Sequence, residues 1–356
     1  MEVILKSGTS SVLLNGIPGK PFACKRGVRQ GDPLSPLLIV LAADLLQTIV
    51  NKAWQAGVLY HPLADDFEEF FPIVQYADDT LLIMPADARQ LFTLKCLLRT
   101  FSDSTGLHVN FQKSFLVPIN VSAGKWSLLA QTFGCEVGSM SFTYLGLPFG
   151  TTRPTVKEFS PLLTKMERRL SGVSKFLSYQ ERLIMVNSIF SALPTYYMWS
   201  IVIPPTVIQH IDRFRKHYLW SKEDISRRGT CLAAWEPSCR PKDEGGLGII
   251  DMKNQNTTHL MKFLDKFYNH ADIPWVKLTW SKLYQNTNIP PHERSPTGSF
   301  WWREIIKLFE KFKAFAICHP NLGNSVAFWK DNWSGQILKN KYPHLFSYAL
   351  KANCSL

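Results

Sequence analysis

Two short apolar runs flank an acidic pair, and this arrangement constrains the fold of the chain more than any other feature. Ile73-Val74 and Leu81-Leu82-Ile83 lie on either side of Tyr76-Ala77-Asp78-Asp79. Short apolar runs separated by residues that favour turns are typical of a β-hairpin. The sequence therefore predicts a hairpin that carries two adjacent carboxylates at its turn.

Asp78 and Asp79 are candidate metal ligands. Two anions between apolar strands are costly to leave unpaired, so a cation is expected beside them. Carboxylate oxygens are ligands that Mg²⁺ prefers. The alternative is an ordinary turn, since turns favour aspartate. Asp65-Asp66, in a segment of mixed polarity, has the character expected of such a solvated turn.

A polar loop from Gly27 to Gly31 precedes a predicted helix. Ser35-Pro36 supplies a capping hydroxyl and a proline at the first helical position, and apolar spacing predicts a buried helix to about Ala56. A glycine beside donors before a helix N-terminus allows a nucleotide or a backbone to approach closely, although the segment could be only a loop and a cap. The apolar stretch from Leu34 to Val50 contains polar residues and is too short to span a bilayer, which predicts a soluble protein.

Local patterns predict the remaining elements of the chain. Gly106 is the expected C-terminal signal of a helix over 88–104, and Asn15-Gly16 is a hairpin turn signal. Strands are expected at 3–5 and 11–14 around a turn at Gly8-Thr9-Ser10. Beyond Gly150 helical patterns dominate, at about 156–176, 179–192 and 205–221.

Positive charge is concentrated in the second part of the chain. Residues 1–150 contain 11 lysine and arginine residues against 12 aspartate and glutamate residues, whereas residues 151–356 contain 29 against 16. This imbalance indicates a polyanionic partner, or else a basic surface that serves only solubility. Nine of the 11 tryptophans lie from Trp199 onward, which predicts an aromatic core or a stacking surface there.

The seven cysteines are scattered and include no Cys-x-x-Cys pair. This pattern favours reduced thiols over a disulfide framework or a structural zinc site. It predicts an intracellular protein, in the nucleus or the cytoplasm.

Two motifs in a fixed order resemble a known family. Arg-Gln-Gly-Asp-Pro-Leu-Ser-Pro at 29–36, followed by Tyr-Ala-Asp-Asp at 76–79, resembles the palm of reverse transcriptases from non-LTR (LINE-type) retrotransposons, particularly those of plants. Residues 106–114 resemble the next palm motif, and residues 144–148 resemble the primer grip. Residues 182–196 resemble the helical thumb, and residues 235–249 the connecting region.

The resemblance implies roles for the residues of the acidic hairpin. Asp78 would be the principal Mg²⁺ ligand and Asp79 would support it. Tyr76 would pack beside the primer end and the incoming nucleotide. Lys113, in the third motif, would be a candidate for protonating the leaving pyrophosphate. Tyr76 could instead be a core aromatic residue, and Lys113 a surface charge.

The other motifs would contact the nucleic acid and the nucleotide. Arg29, Gln30 and Gly31 would lie against the template and the incoming nucleotide. Tyr144, Leu145 and Gly146 would grip the primer, although Tyr144 could simply pack in a sheet.

The resemblance also implies an α+β fold in three parts. An incomplete right-hand palm, an antiparallel sheet with helices, is expected over 1–150, a helical thumb over 151–225, and a basic, tryptophan-rich connecting region over 226–356. The expected reaction is RNA-directed DNA synthesis with an RNA template, a DNA primer, deoxynucleoside triphosphates and Mg²⁺. Neither a membrane nor an oligomer is expected.

Two parts of the family pattern have no match in the sequence. In the family, an aspartate upstream of the Arg-Gln-Gly motif completes the metal site, and a fingers domain precedes it. We therefore expect a weak Mg²⁺ site and a chain that is catalytically incomplete by itself. The alternative is a non-catalytic, nucleic-acid-binding remnant of a decayed element.

Overall fold

The computed structural model describes residues 8–24, 27–28, 31–62, 71–170, 177–220, 233–284, 298–320, 323, 326–352 and 354–356. The chain divides into two compact units, Met1–Met140 and Ser141–Leu356. Both strands and helices are present, so the chain has a mixed fold in which helices predominate and the sheets are small.

The described strands form two-stranded sheets. The pairs are antiparallel except for β7 with β8, which is parallel. In chain order the strands are β1 Thr9–Ser10, β2 Leu13–Leu14, β3 Ile17–Pro18, β4 Phe22–Ala23, β5 Ile73–Tyr76, β6 Asp79–Leu82, β7 Phe115–Leu116, β8 Glu136–Val137, β9 Phe142–Tyr144 and β10 Leu147–Phe149. The pairs are β1 with β4, β2 with β3, β5 with β6, β7 with β8, and β9 with β10.

Helices form most of the regular structure in the described residues. They are α1 Ser35–Gln55, α2 Ala88–Thr105, α3 Ala123–Phe133, α4 Ser160–Leu170, α5 Tyr179–Met185, α6 Thr195–Met198, α7 Pro205–Trp220, α8 Trp235–Ser238, α9 Met252–Tyr268, α10 Pro274–Leu283, α11 Phe300–Ile306, α12 Phe309–Phe315, α13 Leu338–Lys341 and α14 Pro343–Ser347. Two 3₁₀ turns, Val156–Phe159 and Lys242–Glu244, and a π-helical turn, Val186–Phe190, complete the helical segments.

The core of the first unit lies between α1, α2 and the β5–β6 hairpin. Apolar side chains of α1 and α2, among them Val50 and Leu94, form one buried cluster against which Ile73 and Leu82 of the hairpin pack. The Gln75 side-chain amide also donates a hydrogen bond of 3.0 Å to the backbone oxygen of Ala43 in α1. The acidic hairpin is therefore attached to the longest helix of this unit.

Helix α1 differs from its prediction in two respects. The N-cap residue is Leu34, which has no side-chain cap, and the amide of Leu34 donates to the Asp32 carboxylate at 2.8 Å, so the predicted capping by Ser35 is wrong. The helix is also only partly buried, since its fully buried residues are Leu46, Val50 and Ala53 and the others are half-buried or exposed.

The length of α1 also overturns the argument that this segment is too short to span a bilayer. Its 21 residues are long and apolar enough to cross a membrane by length and composition, a test that core helices of soluble proteins also pass. That the protein has no membrane partner stays a prediction.

The second unit contains two apolar cores. One runs through α4, α5, the π-helical turn, α7 and the start of α9, and it includes Phe159, Phe190 and Met252. The other is aromatic and centres on Phe267, with Trp280 stacked on it at 4.5 Å between ring centroids and Trp302 at 4.7 Å. The prediction of an aromatic core in the tryptophan-rich part is confirmed, and residues on both sides of position 225 contribute to the first core.

Most local predictions are confirmed. The hairpin around Asp78-Asp79, the turn at Asn15-Gly16 and the end of α2 at Gly106 occur as expected. Thr9-Ser10 is a strand rather than part of a turn, because it pairs with Phe22–Ala23. The strand predicted at 3–5 lies outside the described residues. The three-part division of the chain stays a prediction.

Candidate functional site

The acidic pair lies at the two-residue turn between β5 and β6. Tyr76 pairs with Asp79 across this turn, and Ala77 and Asp78 form it. Ala77 has a φ of 52°, in the left-handed region that non-glycine residues seldom adopt. Such strain persists only where the surrounding structure imposes it, and here the ladder on both sides of the turn does so.

The register of the hairpin determines which face each side chain occupies. Residues directly opposite each other share a face, so Ile73 and Leu82 point to the core, whereas Tyr76 and Asp79 share the outer face. Tyr76 is 63% exposed, and both Asp78 and Asp79 are exposed. Both carboxylates are therefore in solvent, so their apolar neighbours do not impose the expected cost of leaving two anions unpaired. The alternative that Tyr76 is a core residue is wrong.

The carboxylates of Asp78 and Asp79 are suitable ligands for a hard divalent cation. They are not joined by further ligands, because no group of three or more histidine, cysteine, aspartate or glutamate residues in the described part of the chain could hold a metal ion. Among the described residues, the pair could therefore supply only part of the coordination shell of a divalent cation.

Of the other residues predicted for the first unit, Lys113 and Gly31 are described, and both lie in other segments of the chain. Lys113 is exposed, and its amide donates to the backbone oxygen of Asn110 within a separate turn. Gly31 has a φ of 85° and directly precedes Asp32, whose carboxylate anchors the start of α1. Arg29 and Gln30 lie outside the described residues.

The predicted primer grip is the turn of a second hairpin, β9–β10, which belongs to the second unit. Leu145 and Gly146 have φ values of 51° and 78°, as a tight two-residue turn with two left-handed residues requires. The Tyr196 hydroxyl donates a hydrogen bond of 2.7 Å to the backbone oxygen of Leu145. This bond holds the tip of the hairpin against the helical part of the unit.

The base of the same hairpin is also anchored. The Ser141 hydroxyl donates to the Glu158 carboxylate at 2.7 Å, and the other carboxylate oxygen accepts the Thr155 amide at 2.6 Å. These hydrogen bonds hold the pKa of Glu158 below its ordinary value of 4.5, with the Thr155 amide as the largest cause.

A buried arginine in α7 was not anticipated from the sequence. Arg215 is fully buried, and its guanidinium donates to Asp212 at 2.8 Å, to the Ser191 hydroxyl at 3.0 Å and to the backbone oxygen of Ile250 at 2.6 Å. Burial raises the pKa of the Asp212 carboxyl, an effect that the charge of Arg215 opposes. The network is structural, since it joins three separate segments of the second unit.

Asn256 is a second buried polar residue that links separate segments, and no local sequence pattern predicts it. Its side-chain nitrogen donates to the backbone oxygens of Met198 and Ile201 at 2.9 and 3.0 Å, and its oxygen accepts the Ile203 amide at 3.0 Å. A buried polar side chain with all these partners fixes the segment between α6 and α7. A polar residue at a core position of an amphipathic helix was the only available sequence signal.

The first part of the chain is similar to a known protein family. Residues 3–149 match the family model described as reverse transcriptase (RNA-dependent DNA polymerase). The chain is 26% identical over 179 residues to a putative ribonuclease H protein of Arabidopsis thaliana, a match that covers 49% of this chain and 29% of the relative.

Two further relatives come from transposable elements. The Transposon TX1 uncharacterized 149 kDa protein of Xenopus laevis is 25% identical over 81% of this chain and 21% of its own length. The retrovirus-related Pol polyprotein from type-1 retrotransposable element R2 of Popillia japonica is 24% identical over 83% of this chain and 46% of its own length. The chain thus spans less than half the length of each of these relatives.

Proposed function

We propose that the β5–β6 hairpin contributes the Asp78-Asp79 pair to the RNA-directed DNA polymerase site of a LINE-type reverse transcriptase. The match of residues 3–149 to the reverse transcriptase family model and the relatives from transposable elements support this proposal. The observation that carries the proposal is the position of both carboxylates at a strained turn, exposed to solvent and pointing away from the core. In this proposal the first unit is the palm, and its substrates are an RNA template, a DNA primer and deoxynucleoside triphosphates.

Asp78 and Asp79 would hold Mg²⁺ at the growing end of the primer. When bound, the metal would stabilise the attacking and leaving oxygens of the nucleotidyl transfer. The hairpin positions the two carboxylates because its ladder and the hydrogen bond from Gln75 to Ala43 attach it to α1. Tyr76, which shares the outer face with Asp79, would support the primer end or the incoming nucleotide.

The remaining predicted site residues are assigned by the same proposal. Arg29, Gln30 and Gly31 would bind the template and the nucleotide, and Lys113 would protonate the leaving pyrophosphate. The β9–β10 turn at Tyr144, Leu145 and Gly146 would grip the primer.

We further propose that residues 1–356 by themselves do not synthesise DNA. Mg²⁺ demands near-octahedral oxygen coordination, and two carboxylates with no third acidic ligand among the described residues give a weak site. Correct positioning of primer and nucleotide needs further protein surface around the hairpin.

Metal titration tests the assignment of the acidic pair. We expect Mg²⁺ to bind the wild-type chain with millimolar or weaker affinity, observed as shifts of backbone NMR signals around Asp78. Asp78→Asn should abolish these shifts. Asp103→Asn, which changes another exposed carboxylate of the first unit, is the matched control and should leave them intact. Equal Mg²⁺ affinity of the wild type and Asp78→Asn would show that the pair is an ordinary turn.

A second candidate function is nucleic-acid binding without catalysis. Residues 151–356 favour it, because they contain 29 lysine and arginine residues against 16 aspartate and glutamate residues. Salt-dependent binding of nucleic acid together with an Asp78→Asn chain that still titrates like the wild type would support this candidate over the polymerase.

A further inference from the structure

An exposed strip of aromatic and basic side chains runs along the second unit. We call Tyr196, Trp199, His259 and Lys262 the aromatic strip. Tyr196 and Trp199 are each 51% exposed, although nearby residues such as Met198 are fully buried. Tyr196 lies in α6, and Trp199 directly follows this helix with helical backbone angles, so the two residues, three apart, share one face.

Helix α9 supplies the other half of the strip. The Lys262 ammonium lies 4.2 Å from the centre of the Trp199 ring, and the His259 ring lies 5.3 Å from it at an interplanar angle of 42°. His259 and Lys262 are one helical turn apart and therefore face the same side of α9. His259 is half-buried, and this burial lowers the pKa of its imidazole, as does the neighbouring charge of Lys262.

The strip is held in place before any ligand arrives. The Tyr196 hydroxyl is bound to the backbone oxygen of Leu145 at 2.7 Å, which fixes one end of its ring. The segment that follows Trp199 is fixed by Asn256, which donates to Met198 and Ile201. Because the Tyr196 ring and the backbone beside Trp199 are already held, stacking on these two residues orders little additional protein.

We propose that the aromatic strip binds single-stranded nucleic acid, with bases stacked on Trp199 and Tyr196 and a phosphate paired with Lys262. Exposed aromatic faces beside a cation are the combination that single-strand binding requires, because every base has a stacking face and every phosphate a negative charge. The excess of positive charge in residues 151–356 complements such a polyanion. One acid, Asp265, lies one turn beyond Lys262, and its carboxylate accepts a hydrogen bond from Asn269.

This inference rests on the proposed function, since a reverse transcriptase handles an unpaired template strand. It goes further by assigning the single strand to a surface formed jointly by α6 and α9. The strip adjoins the β9–β10 turn through the bond between Tyr196 and Leu145, so the bound strand would pass beside the proposed primer grip.

Fluorescence anisotropy of the full chain with labelled oligo(dT) and oligo(U) tests the strip. We expect Trp199→Ala to weaken binding of the single strand roughly tenfold and Trp199→Phe to restore most of it. Lys262→Gln should weaken binding and lower the slope of log affinity against log salt by about 0.7, the value for one phosphate of a single strand. Comparison of the two oligonucleotides shows whether RNA or DNA is preferred.

Two matched controls lie elsewhere in the same unit. Tyr348→Ala changes an aromatic residue that is 84% exposed, and Lys253→Gln changes an exposed lysine nine residues before Lys262, hence on the opposite face of α9. Both should bind like the wild type.

Equal affinities of the wild type and Trp199→Ala would contradict the strip. An equal loss with duplex DNA, whose bases are already stacked, would also contradict it. These outcomes concern binding alone, whereas failure of the Mg²⁺ titration at Asp78 would contradict the proposed function and leave the strip standing.

Discussion

The two units of the chain bury their apolar side chains to different extents. In Met1–Met140 a small core leaves many apolar side chains in solvent, among them Val12, Leu13, Leu14, Ile17, Leu37, Val40, Leu41 and Val74. In Ser141–Leu356, two cores bury aromatic residues completely, and buried polar residues connect the helices. The unit that holds the acidic pair is therefore expected to be the less stable of the two.

Helix α1 illustrates the partial burial of the first unit. Leu46, Val50 and Ala53 face the core, while Leu37, Leu41 and Leu45 form an exposed stripe at four-residue spacing. A helix with two apolar faces lowers solubility unless something covers the second face. In the second unit, in contrast, the apolar cores and buried hydrogen bonds lie within the unit itself.

The largest effect is expected at the buried arginine of the second unit. Arg215→Ala removes a fully buried guanidinium and breaks its ion pair with the half-buried Asp212 carboxylate, so the free energy of unfolding should fall by roughly 3–5 kcal/mol. Arg213→Ala, at an exposed position of the same helix, should change it by less than about 0.5 kcal/mol. Urea unfolding of both variants measures the difference. Similar small effects of both changes would show that the network does not stabilise the second unit.

A core substitution in the first unit should lower the stability of that unit alone. Leu94 is 2% exposed, and Leu94→Ala should lower the free energy of unfolding of the first unit by about 3 kcal/mol through the cavity it leaves. Hydrogen exchange resolved by peptide should then show faster exchange in α1 and α2 and unchanged exchange in α7 and α9. Faster exchange throughout the chain would mean that the two units unfold together.

The exposed stripe of α1 should affect solubility rather than stability. The double substitution Leu37→Ser and Leu41→Ser should change the free energy of unfolding by about 0.5 kcal/mol or less, because both side chains are already in water. It should also reduce aggregation, measured by light scattering at rising protein concentration. Leu46→Ser, on the buried face, is the control and should destabilise the unit. A large loss of stability in the double variant would mean that the stripe is covered.

The smallest effect concerns the anchor of the β9–β10 hairpin. The pKa of Glu158 is lower in the folded chain than in the unfolded one, so its contribution to stability is full above the unfolded value and is lost as pH falls through the folded value. At pH 7 the wild type should exceed Glu158→Gln by about 0.5 kcal/mol, a small figure because the carboxylate is exposed to solvent. Unfolding measured at successively lower pH should show the difference shrink as the pH falls through the folded pKa, and a difference that does not change with pH would exclude this linkage.

The sequence predicted those features that depend on neighbouring residues. The hairpin at Asp78-Asp79, the left-handed end of α2 at Gly106 and the turn at Asn15-Gly16 follow from local preferences of the chain, and the structure confirms them. The predicted aromatic core was indicated by composition alone.

Features that depend on distant residues were missed or wrong. The burial of α1 was overestimated, because apolar spacing shows which face is apolar but not whether anything covers it. Arg215 and Asn256 gave no local signal, since the partners of Arg215 lie up to 35 residues away and those of Asn256 up to 58. The hydrogen bond between Tyr196 and Leu145 spans 51 residues, and only the folded chain reveals it.

The central claim is that the hairpin of the first unit belongs to a polymerase site, and that this site needs further protein surface. Primer extension tests this claim most directly. Residues 1–356 would be compared with the same residues joined to the fingers and upstream palm of an intact relative, each with and without Asp78→Asn. We expect extension of a DNA primer on an RNA template by the joined protein alone, and its loss with Asp78→Asn. Extension by residues 1–356 alone that is sensitive to Asp78→Asn, or activity of the joined protein that survives this change, would contradict the account.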